Sequence, residues 1–219
     1  MFYITRGSDW REARRASARA AIVEAAWTAV REEGVANLSL RDLARRAGIT
    51  TPTVYKYFAS KFDIYDAMFA EAAADFEVCN GAPFSSDEPR AVLVESFLRF
   101  IEFCAADVPR YQLLFQRPIP GFTPSPEAYA PAVRTLDATR ARMARHGVMD
   151  PRHIDLWTAL TTGLVNQQLS NDPGGDRWTR LAEEAVDMFL AHCHSTGEHT
   201  PGRAKATRRR PSRSQRSQR

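Results

Sequence analysis

Gly48 stands between two stretches that read as helical and are each too short to hold a helix alone. Upstream, Ser39-Leu40-Arg41-Asp42 has the form of a capping box with Asp at its fourth position. Leu38 and Leu43 stand where a hydrophobic staple would fix the entry of that helix, which is expected to stop at Ala47-Gly48. Downstream, Thr50 or Thr51 can cap a second short helix with Pro52 in its first turn, where a missing N–H costs little. Isolated helices under about 12–15 residues are marginal in water, so both need a partner to pack on. The preceding segment, residues 11–33, supplies one. Ile22, Ala26 and Val30 form a stripe with Val23 and Trp27 beside it, and Gly34 is the stop. A long helix followed by two short ones across a glycine turn is a helix-turn-helix unit.

The side chains sort by face. Leu43, Ile49, Val54 and Phe58 are placed to bury against Val23, Trp27 and Val30, and the small Ala44, four residues before Gly48, lets the short helices cross closely. Left facing outward on the second short helix are Thr51, Thr53, Tyr55, Lys56 and Tyr57, with Thr50 at its cap. Tyr55 and Tyr57 cannot both face the core alongside Val54 and Phe58, which argues against a purely structural bundle. A helix N-terminus offers free N–H groups to phosphate. Tyrosine hydroxyls and a lysine ammonium add backbone contacts, and the threonines can reach base edges. Arg41 is the long side chain able to fork onto guanine, and Lys61 is placed to clamp a flanking phosphate.

The run LSLRDLARRAGITTPTVYKYFASK, residues 38–61, resembles the DNA-binding head of the TetR family of bacterial regulators. The resemblance implies an all-helical body that binds a small effector and dimerises. It also implies DNA contacts from Arg41, Thr51, Pro52, Thr53, Tyr55, Tyr57 and Lys61. Thr51-Pro52 departs from the glycine often found there and Lys56 is a variable position, so no base preference carries over.

The remainder reads as helical almost throughout, with no alternating strand pattern, so the expected class is all-α. The expected division is a head at residues 1–60, an effector-binding and dimerisation body at 61–196, and a basic disordered tail at 197–219. Charge follows the same division: net +3 over residues 1–70, −6 over 71–196 and +7 over 197–219. Cys79 to Glu88 and the proline-rich residues 118–126 read as loops, the second joining two helices in its simplest role and otherwise placed to gate a body cavity. Pro109 is expected to interrupt a helix, with a short apolar turn after it. A last helix is expected to carry Trp178, Leu181, Val186 and Phe189.

Aromatic and apolar residues at helical spacing are more often core than ligand cage. As a group, though, Phe97, Phe100, Ile101, Phe103, Tyr111, Phe115 and Trp157 are the candidates for an apolar effector pocket, together with Thr161. Arg110, Gln112, Thr161 and Gln168 are its candidate polar groups. Leu164, Gln168, Trp178, Leu181 and Phe189 are the candidates for a homodimer seam between the last two helices, with packing inside one chain as the alternative.

His192 and His194 point about 200° apart on a helix, a poor pair for one metal. No phosphate-binding glycine loop, nucleophile elbow or metal quartet is present, so no enzyme and no cofactor are expected. Three scattered cysteines and no membrane-length apolar run suggest a cytoplasmic protein. The expected function is a dimeric repressor released from a palindromic DNA operator by a small effector. The alternative is an architectural DNA-binding protein that needs no effector.

Overall fold

The computed structural model describes residues 6–197; the basic tail expected at 197–219 lies outside them apart from Gly197. All the regular structure described is helical. The elements are α1 (Arg6–Glu33), a 3-10 turn (Val35–Asn37), α2 (Leu40–Arg46), α3 (Thr51–Tyr55) and α4 (Lys61–Gly81). They continue with α5 (Pro89–Ala106), α6 (Val108–Phe115), α7 (Pro126–Arg145), α8 (Pro151–Asn171), a second 3-10 turn (Thr179–Leu181) and α9 (Ala182–Gly197). Among the described residues, no helix is long and apolar enough to cross a membrane.

One local device starts the body helices. An acidic or hydroxyl side chain accepts from backbone N–H groups, and proline follows in the first turn. Glu88 with Pro89, Asp107 with Pro109, Ser125 with Pro126 and Asp150 with Pro151 open α5, α6, α7 and α8 in this way. Pro109 therefore starts a helix rather than only ending one, and the short apolar turn expected after it is α6. The expected loop from Cys79 begins later, because α4 continues to Gly81. Trp178 and Leu181 fall before α9, at the start and in the body of a 3-10 turn.

Two buried clusters result. The first packs Ile22, Val23, Ala26, Trp27 and Val30 of α1 on Leu43, Ala44, Val54 and Phe58, then continues into Ile64, Tyr65, Met68 and Phe69 of α4. It runs on to Leu113, Ile119 and Ala128. Fully burying one large side chain of this kind contributes about 1.5–3 kcal/mol, which is what holds α2 and α3 in place. The Tyr65 hydroxyl donates to the Val35 carbonyl at 2.6 Å, and burial raises its pKa to about 12. The second cluster gathers Phe97, Cys104, Tyr111, Met143, Ile154, Trp157, Val186 and Phe189 from α5 to α9.

The proline-rich segment between α6 and α7 is fastened to α4 rather than placed over a cavity. Phe122 packs on Phe62 and Tyr65, with ring centroids 5.9 and 5.7 Å apart. The Ser125 N–H and hydroxyl donate to Asp66 at 2.6 and 2.8 Å. These contacts tie the segment down as part of the first core, so the expected gate is a clasp.

Candidate nucleic-acid interface and body cavity

α3 is five residues long, and its shape comes from its caps and its buried face. Thr50 Oγ1 accepts from the Thr53 N–H at 3.3 Å and lies 2.9 Å from Thr53 Oγ1. Gly48, at φ 66, makes the turn into it in the left-handed region that a side chain would strain. Val54 and Phe58 are buried, so the opposite face is left to solvent. Tyr55 is 51% exposed, and Arg41, Thr50, Pro52 and Lys56 are exposed with it. Thr51, Thr53, Tyr57 and Lys61 are half-buried at the edge of that face. The Lys61 ammonium stands 5.6 Å from the centre of the Tyr65 ring. Arg19 donates to the Tyr57 carbonyl and lies 4.1 Å over the Phe58 ring, fixing the end of α3 to α1.

The reciprocal capping box falls at Ser60, not at Ser39. Ser39 accepts from the Asp42 N–H, but the Asp42 carboxylate is taken by Arg45 and Arg46, and Arg46 also reaches Glu32 at 2.7 Å. That charge network fastens α2 to α1, and Arg46 is the first cause holding both carboxyls below their usual range. At Ser60 the box is complete: its hydroxyl accepts from the Asp63 N–H at 3.2 Å, and Asp63 accepts from the Ser60 N–H at 3.2 Å. Lys61 is thereby held at the first position of α4.

One basic group was not singled out from the sequence. Trp10, Arg11, Arg14 and Arg15 of α1 line a groove with Lys56 and Tyr57. The charges were legible as a run of arginines, but their place beside α3 depends on the angle at which α1 crosses it.

The body holds a cavity of about 250 Å³ between α4, α5, α6, α7 and α8. Of the residues singled out for a pocket, Phe97, Phe100, Phe115, Trp157 and Thr161 line it. Ile101, Phe103 and Tyr111 do not. Ile101 packs against the second core and Tyr111 is buried within it, while the Phe103 ring meets Phe76 in a tilted pair at 4.9 Å. Phe69, Phe76 and Asn80 of α4, and Tyr129, Thr135 and Thr139 of α7, line it without having been singled out.

Arg110, Gln112 and Gln168 are elsewhere. Arg110 faces the head: it lies 4.7 Å over the Trp27 ring and pairs with Glu71 at 2.8 Å, with Asp75 and with Asp107. Asp107 in turn pairs with Arg31 of α1 at 2.7 Å. Gln112, in the middle of α6, is not among the cavity's lining residues.

The cavity wall is less polar than its composition. Thr135, Thr139, Thr158 and Thr161 each donate their hydroxyl to the carbonyl four residues back, at 2.9–3.0 Å. Their hydrogens are committed, leaving lone pairs and methyl groups for an occupant.

The residues singled out for a dimer seam divide. Phe189 is 2% exposed and meets Trp157 at 5.1 Å, and Gln168 is 4% exposed, accepting from the Trp178 N–H at 2.8 Å. Both are inside the single chain, so neither stands on a surface a second copy could cover. Leu164, Trp178 and Leu181 are half-buried. The open side of α8 carries Leu156, Ala159, Gly163 and Gln167, and that of α9 carries Met188 and Ala191. Leu156 and Met188 are exposed large apolar groups there.

Residues 22–68 match the sequence model of the bacterial regulatory proteins of the tetR family. The HTH-type transcriptional repressor BepR of Brucella suis biovar 1 is 31% identical over 106 residues, 48% of this chain and 50% of that protein. The chain thus spans about half the length of the curated relative it matches. In the solved structures, a tetR-family transcriptional regulator from Streptomyces coelicolor superposes with a TM-score of 0.66 at 20% identity, over 84% of each chain. RolR in complex with resorcinol superposes with a TM-score of 0.55 at 19% identity, over 86% of this chain and 96% of that one. At these identities the likeness shows the fold.

Proposed function

We propose that the chain is a regulator of the tetR family, a dimeric repressor released from a palindromic operator by a small, largely apolar effector. The observation that carries the DNA-binding part is the outward face of α3. Its inner face and its cap are used by the fold, yet Tyr55 and Lys56 are exposed, Arg41 is exposed on α2, and Arg11, Arg14 and Arg15 of α1 line a groove with Lys56. Two copies of such a face, about 34 Å apart, meet successive major grooves. Tyr55, Lys56 and Lys61 take phosphates, Arg41, Thr51 and Thr53 take base edges, and Arg11, Arg14 and Arg15 extend the footprint along the backbone.

A second copy docks on the open side of α8 and α9, where Leu156 and Met188 supply apolar area and Ala159 and Gly163 allow the helices to approach closely. RolR's solved complex with resorcinol shows a protein of this fold holding a one-ring aromatic molecule. A cavity of about 250 Å³ suits a ligand of that order better than a drug-sized one, which needs about 300–1,000 Å³. α4 couples the sites, since Ile64 and Tyr65 belong to the head core while Phe69, Phe76 and Asn80 line the cavity. An occupant that favours a different setting of α4 weakens DNA binding by the ratio of its two affinities.

The test is anisotropy with DNA from upstream of the protein's own gene, in roughly physiological salt with unrelated DNA as competitor. Nanomolar binding that survives the competitor and protects a near-palindrome supports the repressor. Weak binding that the competitor removes supports an architectural protein with no effector.

A further inference from the structure

Behind the polar end of the cavity sits Arg142 of α7, 6% exposed. Its Nη2 donates to the Asn80 carbonyl at 3.0 Å, at the C-terminal end of α4. Its Nη1 stands 3.4 Å from both Asn80 Oδ1 and Ser96 Oγ, and these two residues line the cavity. The guanidinium lies 4.4 Å over the Phe84 ring. No ion pair among the described residues includes it, whereas nearby Arg99, over the other contact to Phe84, is paired with Glu95. Burial lowers the proton affinity of Arg142, and Arg145 and Arg99 act in the same direction.

A buried charge without a counter-charge is costly, and several kcal/mol is the usual scale. The carbonyl at the end of α4 offsets part of that cost through the helix dipole. The two bonds made by Nη1 offset little, because charge-assisted bonds are typically about 2.7–2.9 Å and these are at the outer limit. Arg142 is not itself among the lining residues; an anion entering from the cavity would meet Ser96 and Asn80, the two side chains that Nη1 contacts. The hydroxyls of Thr135, Thr139, Thr158 and Thr161 offer no competing donors, as their hydrogens are already committed.

We infer that the cavity takes an anionic ligand, a one- or two-ring apolar body carrying a single carboxylate, with Arg142 as its counter-charge and Ser96 as a hydrogen-bond donor to it. This rests on the reading of the cavity as an effector site. The ring lies among Phe76, Phe97, Phe100, Phe115 and Trp157, and the carboxylate points toward Asn80 and Ser96. Arg142 is then a binding residue, and the capping of α4 is its role in the empty protein.

The experiment uses the full chain and calorimetric titration with benzoate, phenylacetate and 2-naphthoate, each beside its neutral primary amide. At least one acid binds, and it binds roughly tenfold to a hundredfold more tightly than its amide. Arg142→Gln removes that preference. Since this variant also loses the cap on α4, Asn80→Asp supplies the second arm: it is close to isosteric and places a carboxylate against Arg142. Asn80→Asp abolishes the acid preference and raises the melting temperature. Three results overturn the inference: no acid in the panel binds, acids and amides bind alike, or Asn80→Asp leaves the acid preference intact. Operator release, followed by anisotropy with the same compounds, separates the two levels. If amides bind and release DNA as well as acids do, the inference falls and the effector reading stands. If an acid binds through Arg142 but leaves DNA affinity unchanged, the inference stands and the effector reading falls.

Discussion

Arg110→Met removes the cation that pins the body to the head while keeping most of the aliphatic stem. The guanidinium is 4.7 Å from the centre of the fully buried Trp27 ring, a partly desolvated geometry that contributes about 1–2 kcal/mol. Its pair with Asp107 at 3.3 Å joins two side chains that are 16% and 15% exposed, and adds about 0.5–1 kcal/mol. Glu71 and Asp75 are 41% and 52% exposed, so solvent screens their pairs and they add little. Methionine retains the stem contacts, which leaves a net loss of about 2 kcal/mol. For a chain of this size each kcal/mol shifts the melting temperature by roughly 2–4 °C, so a drop of roughly 4–8 °C is expected in calorimetry. Arg140→Met is the control, because among the described residues Arg140 pairs only with Asp137 and both are exposed. It moves the melting temperature by no more than about 1 °C. If Arg110→Met behaves like Arg140→Met, Arg110 is a solvated cation and the contact between α6 and α1 does not hold the head.

Five further outcomes are expected. Tyr55→Phe leaves the melting temperature unchanged and weakens operator binding roughly two- to tenfold, while Thr50→Ala removes the cap of α3 and weakens binding about fivefold. Replacing Arg14 and Arg15 together with alanine lowers operator affinity and reduces the salt slope by about one per lost phosphate contact; an unchanged slope removes α1 from the interface. Asp42, Glu32 and Asp150 bind protons less readily once folded, Asp150 down to about 2 beside Arg152. Their stabilisation is therefore complete above about pH 4.5 and declines as pH falls toward 2, read as a falling melting temperature over that window. Burial pushes the Cys104 and Cys193 thiols upward, so both resist a thiol reagent at pH 8 in the native protein and react on unfolding in urea.

The head was legible because its signals are local. Ser39, Gly48, Thr50 and Pro52 specify caps and a turn within a few residues, and the buried set Leu43, Val54 and Phe58 follows from one helical period. The cavity was half legible. Phe97, Phe100 and Trp157 have the spacing of a lining, but Ile101 and Phe103 on the same helix have it too. Which way α5 turns is decided by its packing on α4 and α9, not by its own pattern. The residues of α4 and α7 escaped notice for the same reason, as Thr135 and Thr139 look like solvated polar positions until α7 is laid along α4. Phe189 and Gln168 read as an apolar or adaptable face, yet each is used inside the chain by Trp157 and by the turn before α9.

The continuous core from Val23 through Tyr65 to Ala128 has a bearing on how regulators of this kind can be recombined. A graft cut after Ser60 would leave Ile64, Tyr65 and Met68 without the partners that bury them, on donor and recipient alike. The natural unit of transplantation is α1 to α4 together with the Ile119 and Phe122 clasp that closes over it. A chimera built on those joints keeps that core closed on both sides. A chimera cut at the apparent seam opens it on both.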